Sequence, residues 1–345
     1  MKKSLSFLTI LAFITGAQAQ VNYSANVVGF YNLHVLANQP LLIANQLDTG
    51  NNTLNQLLTG GPPGAVLSKY DNGLATATFD GTTWDTNMTL NPGEGGLYTS
   101  PEDTTLMFCG TVLQGSLTNT LPIGAQVIRS DMVPLPGRGP LAFGIPSESN
   151  DTLSLYAGEY VTYTNGITFP NDPLIGVGQA FWYGKAVTAL NDLWIQSYAI
   201  APVAGGANLA IAPAGAGQFT LTLSGASSSA TYYIMSKRAL TNIFWHYEAA
   251  IVGNSTTTIY ANERGSAFFR AICSTADTDK DGLPDWWMME YFGHPTGQAY
   301  DKSRAQDDAD GDGVSNQQKF IRGANPRYIG STTLFISSPK QHNLP

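Results

Sequence analysis

The hydrophobic residues of this sequence occur in short runs that are interrupted every few positions by glycine, proline, asparagine or aspartate. Asp71-Asn72-Gly73 and Asn91-Pro92-Gly93 are examples, and both residue combinations favour tight turns. Short apolar runs between such turns predict β-strands. The stretch 51–58 differs, because it places three leucines at helical spacing behind an Asn/Thr start, and this predicts a short helix.

One pattern with a period of about 85 residues occurs twice in the first part of the chain. Four pairs of segments match in the same order, which indicates an internal duplication. We therefore predict two related β modules, at 20–114 and 115–200. The matching pairs are Leu42-Ile43 with Val127-Ile128, 67–70 with 153–156, 92–98 with 177–183, and Met107-Phe108-Cys109 with Leu193-Trp194-Ile195.

The composition changes after residue 200, where the small-residue connectors 202–206 and 212–217 precede alternating apolar positions at Phe219, Leu221 and Leu223. Further short strands are predicted up to residue 273, and their spacing is typical of a small β-sandwich at 201–274. The predicted fold class is therefore mainly β: tandem small β-sandwich-like modules, then a short calcium-loop and helix segment at 275–327 and a tail at 328–345.

The first nineteen residues have the three parts of a secretory signal. Lys2 and Lys3 form a positive start, 5–14 is apolar, and Ala17-Gln18-Ala19 is a small-x-small cleavage site. The apolar run is shorter than the 20 or so residues that span a bilayer, which argues against a retained anchor. We predict a signal peptide at 1–19 and a secreted or cell-surface protein. Export would also permit a disulfide between Cys109 and Cys273, although two buried thiols are the simpler interpretation.

Negative charge is concentrated near the C-terminus. The formal net charge is −8, and the stretch 277–312 alone contains ten acidic and three basic residues. The rest of the chain is nearly neutral and has no basic stripe that could follow a phosphate backbone. Nucleic acid is therefore excluded as an expected partner.

Two segments of the acidic stretch have the spacing of calcium-binding loops. The first loop, 277–285, and the second loop, 308–316, place oxygen donors at positions one, three, five and nine and glycine at position six. Alternate acidic side chains on a tightly turning backbone can direct several carboxylates to one hard cation. The predicted ligands are Asp277, Asp279, Asp281, Asp285 and the carbonyl of Leu283 in the first loop, and Asp308, Asp310, Asp312, Asn316 and the carbonyl of Val314 in the second.

The twelfth position departs from the pattern in both loops. An EF-hand loop has a bidentate glutamate there, whereas this chain has Met288 and Lys319. The nearby Glu290, a water or a carboxylate of the other loop could complete the ligand set, or the sites bind calcium weakly. A structural calcium site fits this departure better than a cytosolic sensor does.

The stretch 277–326 resembles the paired aspartate-rich segment of thrombospondin type 3-like and dockerin-like repeats. It has a loop, an aromatic helix from Trp286-Trp287 to Tyr291-Phe292-Gly293, a second loop, and the closing Gly323-Ala324-Asn325-Pro326. The resemblance implies calcium-dependent folding of the C-terminal segment of an exported protein. The 85-residue units look like tandem β modules of exported bacterial surface proteins, and this likeness implies no activity.

The sequence contains no nucleophile elbow and no zinc motif. We therefore expect a non-catalytic calcium-binding protein with a structural or adhesive role at the cell surface, whose partners are surface polysaccharide or other surface proteins. One alternative is carbohydrate binding by exposed aromatics, with Trp182 and Trp245 as candidates. The other is a hydrolase that uses dispersed carboxylates, for which the acid pairs are Asp80 with Asp85 and Glu148 with Asp151.

Overall fold

The computed structural model describes residues 22–328, apart from 24, 72, 166–172, 200–206, 216, 229, 243–244, 261–264, 274–276 and 295. Strands account for 41% and helices for 8%, which confirms the mainly β class. The predicted signal peptide and nearly all of the predicted tail lie outside the described residues. Among the helices that are described, none has the length and apolar character needed to cross a bilayer.

The strands are short and antiparallel, and we number them in chain order. They are β1 (Asn22–Tyr23), β2 (Val28–Val35), β3 (Leu41–Ala44), β4 (Val66–Tyr70), β5 (Leu74–Thr78), β6 (Gly95–Thr99), β7 (Thr104–Thr111), β8 (Gly115–Thr120), β9 (Gln126–Arg129), β10 (Gly137–Arg138), β11 (Thr152–Tyr156), β12 (Tyr160–Thr164), β13 (Leu174–Ile175), β14 (Phe181–Gly184), β15 (Leu193–Tyr198), β16 (Asn208–Pro213), β17 (Gln218–Ser224), β18 (Thr231–Lys237), β19 (His246–Val252), β20 (Thr256–Tyr260) and β21 (Ser266–Cys273). The helices are α1 (Leu54–Leu57), α2 (Gly139–Ala142), α3 (Asp285–Tyr291) and α4 (Asn316–Arg322).

The two 85-residue units form sheets with the same strand order. The first sheet has the order β3-β6-β4-β5, and the second has the order β9-β14-β11-β12. Each strand of the second sheet is the sequence counterpart of the strand at the same place in the first sheet. The outer strands also correspond, because β2 pairs with β7 and β8 pairs with β15. Equal order in both units is the arrangement that an internal duplication produces.

The strand register corrects one of the sequence matches. Leu42 lies opposite Leu97 in the first sheet, and in the second sheet the residue opposite Trp182 is Ile128. Since Leu97 and Trp182 are equivalent, Leu42 corresponds to Ile128 and not to Val127. The match of Leu42-Ile43 with Val127-Ile128 was therefore wrong by one residue, because two adjacent apolar residues in each segment left the register open.

The two modules contact each other through equivalent edges. An isolated bridge joins Ile43 to Gln179, and a second joins Glu94 to Arg129, which are the same two positions with the modules exchanged. The Arg129 guanidinium, which is almost fully buried, also pairs with Asp71 at 2.8 Å. The junction therefore repeats the same contact twice, as in a two-fold arrangement.

The third region forms a sandwich that includes strands from the first module. The sheet β16-β17-β20 packs on the sheet β19-β18-β21-β2-β7, and the core between them includes Phe30 and Phe219, whose rings stack at 4.2 Å. Because β2 pairs with β21, this sheet crosses the boundaries predicted at 114 and 201. Cys109 on β7 and Cys273 on β21 are both free thiols, and β2 lies between their strands.

A buried carboxyl distinguishes the second module from the first. Asp131 accepts hydrogen bonds from Val133 N at 2.9 Å and from Gln196 Nε2 at 2.7 Å, and it is only 1% exposed. Burial raises the pKa of Asp131 to about 7, because these hydrogen bonds offset only part of the lost hydration. The equivalent residue of the first module is Asn45, which accepts in the same way from Leu47 N.

The substitution Asp131→Asn is expected to remove a pH dependence of stability. The folded-state pKa lies above the unfolded value of about 4, so the wild type loses stability as pH rises from about 4 to about 7. The variant lacks this loss and should be more stable above pH 7, by about 4 kcal/mol at most. Urea unfolding of both proteins between pH 5 and 8 measures the difference in slope.

The reverse substitution in the first module is the matched control. Asn45→Asp places a carboxyl at the equivalent buried position, and it should introduce the pH dependence that Asp131→Asn removes. If wild type and Asp131→Asn lose stability equally between pH 5 and 7, the buried carboxyl is not the cause.

Candidate metal centre

The aspartate-rich loops are held by two short helices that pack against each other. The first loop leads into α3, and the second loop leads into α4. The ring centroid of Phe320 on α4 lies 6.0 Å from that of Trp286 and 5.8 Å from that of Trp287. Both tryptophans are at least 97% buried, so this aromatic contact fixes the position of one loop relative to the other.

Helix α3 also connects the loops to the β-sandwich. Tyr233 on β18 contacts Trp286 with ring centroids 5.7 Å apart, and the Tyr291 hydroxyl donates to the carbonyl of Trp245 at 3.1 Å. Glu290 pairs with Arg270 of β21 at 3.4 Å. The sequence left Glu290 open as an extra calcium ligand, but the structure places its carboxylate in an ion pair with the sandwich.

Three carboxylates converge in the first loop. Asp277, Asp279 and Asp281 each offer an oxygen, and these oxygens lie within 4.8 Å of one another. Backbone N–H groups hold two of the side chains, since Gly282 N donates to Asp277 Oδ2 at 2.9 Å and Leu283 N donates to Asp281 Oδ1 at 2.9 Å. The loop therefore fixes its carboxylates with its own backbone.

The second loop repeats this geometry. Asp308, Asp310 and Asp312 also offer oxygens within 4.8 Å of one another. Gly313 N donates to Asp308 Oδ2 at 2.7 Å, and Val314 N donates to Asp312 Oδ1 at 2.9 Å. Of the five ligands predicted in each loop, the structure brings the three aspartates at positions one, three and five together, and each trio could hold a metal ion.

Left-handed backbone occurs at the same two positions of both loops. At position six, Gly282 and Gly313 have φ of 88° and 87°, which glycine adopts without a Cβ clash. At position four, Lys280 and Gly311 have φ of 57° and 82°. These turns allow alternate side chains to point to one centre.

The side chains at the ninth positions, unlike those of the trios, make hydrogen bonds to other parts of the segment. The carboxylate of Asp285 accepts from the N–H of Thr278 at 2.8 Å and from its hydroxyl at 2.7 Å, so it ties the start of α3 to the loop. Asn316 donates through Nδ2 to the carbonyls of Lys302 and Arg304, at 2.7 and 2.9 Å. The carbonyls of Leu283 and Val314 stay predictions as ligands.

The two loops differ in charge at the twelfth position, because only the second loop has a lysine there. Lys319 Nζ contacts Asp310 Oδ1, lies 3.0 Å from Asp312 Oδ1 and 3.9 Å from Asp308 Oδ1, and its side chain is 1% exposed. In the first loop this position is Met288, which is also buried. Sequence reasoning treated Lys319 only as a missing ligand, although the sign of its charge indicated attraction to the aspartates.

The pKa values of the fifth positions reflect this difference. In the first loop, burial raises the pKa of Asp281, and the carboxylates of Asp279 and Asp277 add to the rise. In the second loop, burial also acts to raise the pKa of Asp312, but the Lys319 ammonium and the backbone N–H of Val314 outweigh it, and the pKa is lowered.

Neither known protein families, nor curated proteins, nor solved structures contain a match to this chain. The likeness to thrombospondin type 3-like and dockerin-like segments therefore rests on the residues of 277–326 alone.

Several acceptors of the second loop have no hydrogen-bond partner among the described residues. They are Asp310 Oδ2, Asp312 Oδ2 and Asn316 Oδ1, and all three atoms are buried. Unpaired buried acceptors are costly in a folded protein, and a bound cation is one of the few groups that can satisfy several of them together. The acceptors are oxygens, as a hard metal ion requires, although the Lys319 ammonium lies among them.

The acid pairs considered for hydrolysis serve local structure. Asp80 accepts from the N–H groups of Thr82 and Thr83, both at 2.7 Å, which makes it the start of a turn. Asp151 is fully buried and pairs with Lys185 at 2.9 Å. Asp80 therefore stabilises a turn, and Asp151 is part of a buried ion pair.

The two tryptophans considered for sugar binding have different surroundings. Trp245 is 4% exposed and has Lys237 and Arg270 over its ring, so it is part of the core. Trp182 is half-buried at the junction of the modules, where its ring lies 5.2 Å from Tyr70 and its Nε1 donates to the hydroxyl of Tyr160 at 3.4 Å.

Proposed function

We propose that this chain is a non-catalytic, exported calcium-binding protein with a structural or adhesive role at the cell surface. The observation that carries the proposal is the convergence of three carboxylates in each of two loops with the same backbone geometry. The signal-like pattern at 1–19 supports export, and surface polysaccharide or other surface proteins are the proposed partners.

Calcium is the metal that the donors favour. Side-chain oxygens supply each trio, and calcium accepts six to eight oxygens in irregular geometry, whereas magnesium demands a near-ideal octahedron. The absence of a bidentate glutamate at Met288 and Lys319 lowers the expected affinity to that of extracellular modules, about 10⁻⁴ to 10⁻³ M. Such sites fill outside the cell, where export would take the protein.

A structural role follows from the connection between the loops and the sandwich. Helix α3 packs on Tyr233 and hydrogen-bonds to Trp245, so an ion that holds the first loop also holds this contact. An ion that binds only the folded state stabilises it by about 2.7 kcal/mol at a concentration 100 times the dissociation constant. Calcium would thereby stiffen the C-terminal part of the protein.

The experiment is a comparison of melting temperature in calcium and in EDTA. We expect the wild type to melt a few degrees lower in EDTA, since about 1 kcal/mol shifts the melting temperature of a 150–250-residue domain by about 2–4 °C, and that of a larger cooperative unit by less. The double variant Asp279→Ala, Asp310→Ala should melt equally in both. Asp192→Ala, which removes one exposed carboxylate outside the loops, is the control and should keep the difference. Equal melting of the wild type with and without the chelator would refute the proposal.

Carbohydrate binding is the second candidate. Trp182, Tyr70, Tyr156 and Tyr160 form a partly exposed aromatic surface at the module junction, with Tyr160 49% exposed. The rings are tilted by 51° and 66° in their pairs, which suits contact between modules better than a flat sugar platform. A glycan array in millimolar calcium, with Tyr160→Ala as comparison, tests it, and binding lost in the variant would favour this function.

A further inference from the structure

The second loop carries a positive group of the protein inside its carboxylate trio. Lys319 Nζ forms ion pairs with all three aspartates, and among the described residues no such pair is formed by the trio of the first loop. The lysine and Asp310 side chains are 1% and 2% exposed, so the contact is inside the protein. An ammonium held in this way neutralises part of the charge that a metal ion would otherwise neutralise.

We propose that the Lys319 ammonium takes the ion position of the second loop, so that calcium binds to the first loop only. The inference rests on the proposed calcium function of the first loop. Each chain then binds one ion. The second loop keeps the geometry of a calcium loop, but the Lys319 ammonium takes the place of the ion.

The ammonium and a calcium ion compete for the same oxygens. Calcium needs its ligands at about 2.3–2.6 Å, and the trio oxygens lie within 4.8 Å of one another around a single centre. Lys319 Nζ is 3.0 Å from Asp312 Oδ1 and also contacts Asp310 Oδ1, so it occupies that centre. A dication beside it would be repelled, and the lysine would have to leave a buried position before calcium could enter.

The remaining donors of the second loop show that this centre suits a metal once the lysine is gone. Lys319 Nζ donates a hydrogen bond to Asp310 Oδ1, and its contact with Asp308 at 3.9 Å is an ion pair without a hydrogen bond. Asp310 Oδ2, Asp312 Oδ2 and Asn316 Oδ1 have no partner among the described residues and are buried. The Asp310 and Asp312 side chains are 2% and 10% exposed, and Asn316 is fully buried. Lys319 leaves these oxygens unsatisfied, and they match the needs of a calcium ion.

The twelfth position is therefore expected to determine the number of bound ions. Lys319→Glu removes the competing cation and supplies the carboxylate that EF-hand loops have at this position. Lys319→Gln removes the charge and adds a neutral oxygen donor. In both variants the second loop should gain calcium affinity, by at least tenfold in Lys319→Glu.

The test measures calcium bound per chain by equilibrium dialysis at concentrations up to about 10 mM, above the range of weak extracellular sites. We expect one ion for the wild type and two for Lys319→Glu. Asp279→Ala should bind none in the wild-type background and one in the Lys319→Glu background, whereas Asp310→Ala should still bind one in the wild-type background. Lys302→Glu makes the same charge change at an exposed site of the segment, and it should still bind one ion.

The outcomes separate this inference from the proposed function. Two ions in the wild type, with Lys319→Gln unchanged, would overturn the inference while leaving the calcium function in place. No ion in the wild type but one in Lys319→Glu would refute the calcium function and still support the role of Lys319. If Lys319→Glu fails to fold, Lys319→Gln gives the same comparison. A second ion in neither variant would overturn the inference.

Discussion

Replacing Asp151 with alanine is expected to destabilise the protein by about 3–5 kcal/mol, because it removes the fully buried partner of the Lys185 ammonium and leaves only the more exposed Glu148 carboxylate, at 3.3 Å. Asp151 is fully buried and accepts from Lys185 Nζ and the Tyr183 hydroxyl, both at 2.9 Å, and from the N–H groups of Glu148 and Ala186 at 2.8 Å. Lys185 itself is 1% exposed. Urea unfolding of the variant and the wild type at pH 7 measures the loss.

The first module provides the matched control for this prediction. Its residues at the equivalent positions are Ala65 and Ser100, and both are buried. The first module therefore packs the same site without an ion pair. The double variant Asp151→Ala, Lys185→Ser copies that solution and should be much more stable than Asp151→Ala alone. If the double variant loses more stability than the single one, the buried charge is not the main cost of Asp151→Ala.

Acid should weaken the same ion pair. Backbone N–H groups and the Lys185 ammonium outweigh the effect of burial and lower the pKa of Asp151. A lowered folded-state pKa means that the stabilisation is present above the unfolded value of about 4 and is lost as pH falls below it. Asp131 acts in the opposite direction, because its raised pKa makes the second module more stable as pH falls from about 7 toward 4.

The duplication and the two loops could be predicted because their signals are local. Turn residues between apolar runs marked the strands, and the strand order of both modules agrees with the matches found along the chain. Carboxylates at alternate positions of a glycine-containing loop converge for reasons contained in the loop itself. The structure brings the side chains of each trio together as that spacing indicates.

Features that depend on distant pairing were not visible in the sequence. Nothing local shows that β2 pairs with β21, which makes the sandwich span segments almost 240 positions apart. The register of β3 against its counterpart was misplaced by one residue, because only the partner strand distinguishes Val127 from Ile128. The contact of Lys319 with the second trio was missed because that position was assessed for donors and not for charge.

Replacing Trp287 with alanine is expected to cost about 3–5 kcal/mol, since it opens a cavity at the contact between the two helices of the calcium segment. Trp287 is 2% exposed, and its ring centroid lies 5.1 Å from Tyr291, 5.9 Å from Phe292 and 5.8 Å from Phe320. Limited proteolysis should cut 277–328 in the variant under conditions that leave the wild type intact. Met289→Ala, a half-exposed change on the same helix, should alter stability by less than about 0.5 kcal/mol.

Calcium should rescue the Trp287→Ala variant only in part, because the ion and the aromatic contact stabilise the segment by separate means. At 100 times its dissociation constant, calcium contributes about 2.7 kcal/mol, which is less than the loss expected from the cavity. Proteolysis in saturating calcium should therefore be slower than in EDTA but still faster than for the wild type. Complete protection by calcium would show that the loops alone hold the segment. Equal behaviour of Trp287→Ala and Met289→Ala would show that the packing of α3 on α4 does not position the loops.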